Sequence, residues 1–386
     1  MEVFDRETQC MTDLTNRQRK SLWVQCCMAL GYKVNQQDFN DVCDSFVVPL
    51  HNPFEAYFES LPSWDGTSDP IGDLARRITL ADGDNDFFLR CFRKWFVGMI
   101  AGWLNPEVVN EQVLVLIGKQ GIYKSKFFQF LLPPELNKYF LAKTNAARMG
   151  KDEKLAISEF GLISMEEIDS MRDSDLNQFK ALVTTRTISE RAAYERSKEN
   201  RPHIATFCAT GNKRQFLTDL TGNRRWLTFA VESILSPFDH PIDYTALYAQ
   251  GYTLLQQGFR YWMDNEEVVE LEENQVDFET PSVEKEGIFK HFRHPILTEH
   301  GFPDPRQQWM STSEIANVCG ENFRSGDFQQ FVNRISLELV KLGFRRVRKH
   351  VIGDDGKKHQ VTGFYVVPKD GDEQSYDNET NIWRRN

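Results

Sequence analysis

Between an apolar run, Val113 to Ile117, and a helix-forming stretch near Lys124 lies Gly118-Lys119-Gln120-Gly121-Ile122-Tyr123-Lys124-Ser125. A phosphate-binding loop reads G-x-x-x-x-G-K-[ST]. The octet matches at Gly118, Lys124 and Ser125, with Tyr123 where the second glycine belongs. A turn in this place presents backbone N–H groups to phosphate, and the helix beginning near Lys124 would aim its positive dipole end at it. Lys124 would reach the β- and γ-phosphates of ATP, and Ser125 would ligate Mg2+. Glycine before the lysine lets backbone approach phosphate closely. Tyr123 must therefore swing its ring outward, onto the adenine or a neighbour, or spoil the cradle. The plainer reading is an ordinary strand–helix turn with a surface lysine; the flanking strand and helix weigh against it.

Such a loop needs carboxylates at the end of another buried strand. The run Gly161 to Met165 ends in Glu166-Glu167, with Asp169 two residues on. Glu166 is assigned to metal positioning and Glu167 to general base; the two could be exchanged, since sequence does not fix the strand's facing. A third apolar run, Ile204 to Ala209, leads to Asn212, which could hold the attacking water or sense the γ-phosphate, and which alone reads as a turn residue. Asp219, Thr221, Gly222, Asn223, Arg224 and Arg225 precede a fourth run, Trp226 to Val231. Either arginine could serve a transition state as an arginine finger; surface ion pairing is the plain alternative. Residues 180–201 hold six bases (Lys180, Arg186, Arg191, Arg196, Lys198, Arg201), three acids and Tyr194. A basic, partly aromatic hairpin here suits a nucleic-acid backbone, and a solvated face is the plain alternative.

The elements that must position these groups follow from hydrophobic period. Short continuous apolar runs fit strands covered on both faces, as in a parallel sheet. Helical stretches at Lys124 to Leu132 and Asp173 to Thr184 alternate with them, which predicts an α/β fold. The first 105 residues read as mostly helical. Asn16 could cap a helix running to Leu30 and stopping at Gly31, and Pro49, Pro53, Pro62 and Pro70 break the next stretch. Asn85 to Leu104 spaces its aromatics as one buried helical face.

Residues 263–287 carry ten acids and one base, and 341–369 carry eight bases and two acids. An acidic linker followed by a basic module is the simplest account. A short helix from Ser311, capped by Thr312 or Ser313 and ended by Gly320, precedes a longer one at Asp327 to Leu342. Phe344 to Ile352 and Gln360 to Val367 then flank a turn. That order is a winged-helix layout, with Arg345, Arg346, Arg348, Lys349, Lys357 and Lys358 facing phosphates. A winged helix serving protein contacts alone is the alternative.

The chain's 386 residues, at about 150 per domain, predict two or three domains. Forty per cent hydrophobic and 26 per cent charged residues exclude a disordered, collagen-like or disulfide-held miniprotein. The net charge of −10 does not exclude nucleic acid, because partners feel local charge. Seven scattered cysteines, with no Cys-x-x-Cys pair, argue against a zinc ribbon or disulfide framework and fit a reducing cytoplasm. No apolar run approaches the ~18 residues that span a bilayer, and Met1 to Cys10 lacks a signal core. A soluble, unexported protein with no membrane partner is expected.

From Asn52 to Val231 the chain resembles the virulence-associated protein E family, P-loop ATPases of phages and mobile elements related to superfamily 3 helicases and the AAA+ group. The matching segments are Asn52-Pro53-Phe54, Leu61 to Gly66, Val113 to Ser125, Leu162 to Asp169, Phe179 to Tyr194, Gly211-Asn212 and Thr221 to Trp226. The resemblance implies phosphate-loop roles for Lys124 and Ser125, the acidic pair at Glu166-Glu167, a sensor role for Asn212, and an arginine reaching a neighbour's nucleotide at Arg224 or, by preference, Arg225. It implies a parallel sheet with the sensor strand between the phosphate-loop and acidic strands, pore-facing DNA contacts within 180–201, and ring assembly, often as hexamers. Tyr123 departs from the pattern and leaves hydrolysis rate in doubt. No primase domain is evident, so a primase would be a separate protein.

The expected organisation is a helical region at 1–105, a P-loop ATPase core at 106–265, an acidic linker at 266–287, a winged-helix module at 288–368 and a polar tail at 369–386. The expected function is an ATP-driven DNA helicase in replication of a phage or mobile element. The alternatives are an ATP-binding scaffold or origin binder with little turnover, and a regulatory phage-defence ATPase.

Overall fold

The computed structural model describes residues 2–5, 10–13, 15–45, 51–144, 150–190, 199–217, 223–280, 282–295, 304–320, 328–352 and 358–369. Strands Glu2–Asp5 (β1) and Cys10–Asp13 (β2) pair antiparallel, and helices Asn16–Leu30 (α1) and Gln36–Cys43 (α2) follow. Thr15, not Asn16, caps α1: its hydroxyl accepts from the Gln18 N–H while the Gln18 side chain accepts from the Thr15 N–H, and Gly31 ends the helix at φ 73°. Asn16 is already helical, so its side chain is one position too late to cap.

Prolines open the short helices Pro53–Glu59 (α3) and Pro70–Ala75 (α4), where their missing N–H costs nothing. Then come the strand Ile78–Leu80 (β3) and the 20-residue helix Asn85–Leu104 (α5). The rest of the central unit runs Val113–Ile117 (β4), Lys124–Gln129 (α6), Phe140–Lys143 (β5), Lys151–Glu159 (α7), Leu162–Met165 (β6), Asp173–Val183 (α8), a hairpin of Thr187–Glu190 (β7) with Glu199–Pro202 (β8), Thr206–Gly211 (β9), Trp226–Ile234 (β10) and Tyr244–Gln256 (α9).

Six of these strands form one sheet in the order β3-β10-β4-β9-β6-β5. All neighbours are parallel except β3, which runs antiparallel on β10. The expected placement of β9 between β4 and β6 is found. The third run starts later than expected, at Thr206, because the Ile204 and Ala205 N–H groups donate to the Ile157 carbonyl instead. Strand β4 shows why apolar runs write parallel strands. Leu114 and Leu116 pack with α5 and α9, while Val113, Val115 and Ile117 pack with residues of α7 and α8 on the other face.

Helix α5 corrects two expectations. Fourteen of its residues are buried, including Val97 through Trp103 in unbroken succession, so it is sandwiched rather than buried along one face. The Trp95 indole N–H donates to the Phe207 carbonyl in β9 (3.0 Å). With β3 extending the sheet, residues 51–104 share the sheet's core, and no boundary falls at 105.

The acidic stretch is not a linker. It forms helices Asn265–Gln275 (α10) and Val283–His291 (α11) with a 3-10 turn between. Its carboxylates meet bases from distant segments: Glu267 with Lys94 (2.9 Å), Glu270 with Arg90 (2.5 Å), Asp277 with Arg214 (3.0 Å), Glu284 with Arg334 (2.8 Å) and Glu279 with Lys341 (2.5 Å).

The C-terminal unit begins with α11 rather than at 288. It adds strands Phe292–Arg293 (β11) and Gln308–Ser311 (β12), helices Thr312–Cys319 (α12) and Phe328–Lys341 (α13), and strands Arg346–Ile352 (β13) and Lys358–Pro368 (β14). Ser311, not Thr312 or Ser313, caps α12 through a reciprocal pair of bonds with Glu314, and Gly320 ends it. Ile288, Ile315, Phe331, Ile335, Leu339 and Phe364 build a core separate from that of the sheet. Asp327 and the hairpin tip, with Lys357, lie outside the described residues.

Candidate functional site

Parallel strands collect their C-terminal ends on one sheet edge, where ligands of such sheets bind. Ile117 pairs with Gly211 and Met165 with Ala209, so the turns after β4, β9 and β6 sit side by side. The Gly118 N–H donates to the Gly211 carbonyl (3.1 Å). A Cβ on Gly118 would stand 2.4 Å from the Val231 carbonyl oxygen, so only glycine lets the chain leave β4 here. Gly121 turns at φ 84°. Lys119, Gln120 and Gly121 are exposed and Ile122 is half-buried.

Lys124 is buried at the foot of the turn. Its Nζ donates to the carbonyls of Gly118 (2.7 Å) and Lys119 (2.6 Å) and to Asn212 Oδ1 (3.3 Å). Burial pulls its pKa down, against the upward pull of Asp169 and Glu166. The Ser125 hydroxyl donates to Glu166 Oε2, which also accepts from Thr210 Oγ1 (2.7 Å). Glu166 Oε1 accepts from Ser164 (2.8 Å). The octet's lysine and serine, one carboxylate of the acidic pair and the asparagine thus meet in one place. The helix behind them, α6, has only six residues.

Two non-glycine residues among those described have positive φ: Tyr123 at 69° and Glu167 at 56°. Both lie on this edge. Left-handed backbone costs an ordinary residue roughly 1–2 kcal/mol, and such strain collects at functional sites. Tyr123 lays its ring against Phe238, edge to face at 6.4 Å, and is exposed. Glu167 is exposed.

Other expected residues lie elsewhere. Arg224 and Arg225 precede β10 in a 3-10 turn, and Trp226 pairs with Val113 at the start of β4. They therefore flank the opposite sheet edge, about 16 Å from the turn by the length of β4. Lys180 is not a surface contact: it is buried on α8, its ammonium 6.0 Å from the Trp226 ring centre. Arg186 is exposed at the base of the β7–β8 hairpin, while Arg191, Tyr194, Arg196 and Lys198 lie outside the described residues. Arg345, Arg346, Arg348 and Lys349 are exposed but do not form one row. Side chains alternate along a strand, and Lys349 lies over Trp309 (5.1 Å) and Tyr365 (5.0 Å) on the face opposite Arg346 and Arg348.

The profile of the virulence-associated protein E-like domain matches residues 58–280, more than half of the 386. The chain belongs to this family. The match extends past Val231 through α9 and α10, so the family's unit includes the helices that close over α5. No curated protein matches the chain. Among solved structures, the apo form of the NrS-1 C-terminal region (305–718) is 12% identical, covering 80% of this chain and 78% of that one at a TM-score of 0.40. Two A-form apo structures of the same region score 0.38 and 0.36 with the same identity and coverage. Among the described residues, no helix is long and apolar enough to cross a membrane.

Within this virulence-associated protein E-like unit, Asp169 has no role legible in the sequence. Its Oδ2 accepts from the Lys213 N–H (3.0 Å), while Oδ1 is buried without a hydrogen-bond partner beside Gly211. The signal available was its place two residues after the acidic pair. Thr210 and Ser164, which hold Glu166, carry no such signal: Ser164 sits inside one apolar run and Thr210 directly follows another, and both look like strand residues.

Proposed function

We propose that the chain binds ATP with Mg2+ at the Gly118–Ser125 turn and hydrolyses it to drive a DNA helicase in the replication of a phage or mobile element. One observation carries this reading: Lys124, Ser125, Glu166 and Asn212 converge from three adjacent strand ends. The core reads as a P-loop ATPase. Lys124 would exchange its bonds to the Gly118 and Lys119 carbonyls for the β- and γ-phosphates. Ser125 and Glu166 offer a hydroxyl and a carboxylate, the oxygen donors Mg2+ takes alongside phosphate and water, and Asp169's unpartnered Oδ1 adds a third oxygen nearby. The ion, when bound, would neutralise charge developing on the phosphates. Asn212 would orient the attacking water and Glu167 would take its proton as the water oxygen bonds to the γ-phosphorus and ADP leaves.

Arg225, on the far edge, fits a role toward a neighbour's nucleotide in a ring, hexameric by analogy, better than a role at its own. The order α11, β12, α12, α13, β13, β14 reads as a winged helix, which with the β7–β8 hairpin would contact DNA.

The test is ATPase activity with and without single-stranded DNA, in the wild type and in Lys124→Ala and Glu167→Gln. Loss of turnover in both variants is expected; equal activity in all three removes the proposal. Tyr123 and the self-bonded Lys124 favour a second reading, a nucleotide-holding DNA binder with little turnover. Salt-sensitive duplex binding that survives Lys124→Ala, with nucleotide bound but not cleaved, would select it.

A further inference from the structure

We propose that Tyr123 and Phe238 form the seat for the base of the bound nucleoside triphosphate. The inference rests on the phosphate-site reading and adds to it the part of the ligand that the phosphate cradle does not touch.

Three observations meet at this place. Tyr123 holds a left-handed backbone, meets the Phe238 ring edge to face and is 40% exposed. Phe238 is 60% exposed, yet the loop that carries it is fixed. The Arg77 guanidinium donates to the carbonyls of His240 (2.5 Å) and Pro241 (3.0 Å), and the Asp239 and His240 N–H groups close on Ser236. Phe130 meets the Phe238 ring edge to face at 5.2 Å, and Phe130 is itself held where the Tyr244 hydroxyl donates to its carbonyl (2.7 Å). An aromatic ring pinned from its loop and one edge, with most of its surface in water, is an arrangement ready to stack.

Position supplies the ligand. Phe238 follows β10, which leaves the sheet on the same edge as β4, and Tyr123 is covalently next to Lys124. A chain that grips phosphates at Lys124 therefore has two aromatic rings within the reach of one ribose. Stacking recognises the π-face that every base presents.

The experiment measures affinity of the full chain for a non-hydrolysable Mg-ATP analogue and for Mg-tripolyphosphate, which lacks the base. Wild type, Phe238→Ala, Phe238→Trp and Lys124→Ala are compared. Phe238→Ala is expected to weaken the nucleotide about tenfold and leave tripolyphosphate within twofold, with Phe238→Trp restoring the nucleotide. Lys124→Ala is expected to weaken both ligands, which reports on the phosphate site independently. Unchanged nucleotide affinity in Phe238→Ala, or equal loss for both ligands, overturns the base seat while leaving the phosphate site standing. If neither ligand binds the wild type, both readings fall together.

Discussion

The Lys124 ammonium stands 3.3 Å from Asn212 Oδ1, so two residues 88 positions apart are joined where β4 and β9 end. In the proposed reaction the amide acts on the γ-phosphate and water rather than on the whole nucleotide. Asn212→Ala is expected to lower kcat about 100-fold while ATP affinity stays within about threefold. Lys124 keeps its two carbonyl partners, so thermal stability should hold. Steady-state ATPase beside equilibrium nucleotide binding checks the split.

Gly118 and Gly121 differ in what a side chain would meet. The Gly118 Cβ would strike the Val231 backbone, which cannot yield, whereas Gly121 has open space and only its positive φ to oppose alanine. Gly118→Ala should therefore cost about 2–3 kcal/mol and Gly121→Ala about 1 kcal/mol. Urea unfolding of both variants reads the difference, and an equal cost would refute the close approach of β4 to β10.

Arg225 sits at the end of the sheet opposite Lys124. If it serves a neighbouring subunit, mixing inactive Lys124→Ala with inactive Arg225→Ala should recover part of the ATPase, because some interfaces then pair an intact lysine with an intact arginine. No recovery at any mixing ratio, with assembly confirmed by particle mass, would overturn a role for Arg225 at a neighbour's site.

His203 anchors the base of the β7–β8 hairpin. Its ring nitrogen Nδ1 lies 2.7 Å from the Thr185 carbonyl; since a carbonyl only accepts, Nδ1 carries the proton. Burial holds its pKa below the ordinary imidazole value, against the raising effect of hydrogen bonds to Thr185 and Ala205. The unfolded chain thus takes up a proton that the folded chain refuses. Stability is intact above the unfolded histidine's pKa and is lost as pH falls through it toward the folded value. His203→Gln, which keeps an amide donor, should flatten this acid-side loss; melting temperatures at pH 7.5 and 5.5 test it.

The readable parts of the fold were those whose burial is local in sequence. Val113 to Ile117 is apolar throughout, and Leu162 to Met165 is apolar but for Ser164, because both faces of a parallel sheet are covered, and Lys124, Ser125, Glu166 and Asn212 follow directly from where such runs stop. Strand β5 escaped because Phe140–Lys143 is a half-exposed edge, and β3 because three residues carry no period. Lys180 misled because its aliphatic stem buries as well as a hydrophobe does, with the ammonium then over Trp226. The acids of 263–287 misled for a different reason. Charge in one segment says nothing of cations elsewhere, and Arg90, Lys94, Arg334 and Lys341 lie far along the chain.

Strand β3 finds its only described sheet partner in β10, and α5 rests on a strand more than a hundred residues later. During synthesis these segments leave the ribosome well before the strands that cover them. An apolar helix carrying Phe87, Phe88, Phe92, Trp95 and Phe96 must wait, only partly covered, for the end of β10, where Phe229 packs on Phe87 and Phe88. At roughly 5–20 residues per second, that delay lasts several seconds or more, which makes this helix the segment that a chaperone would first be called on to shield.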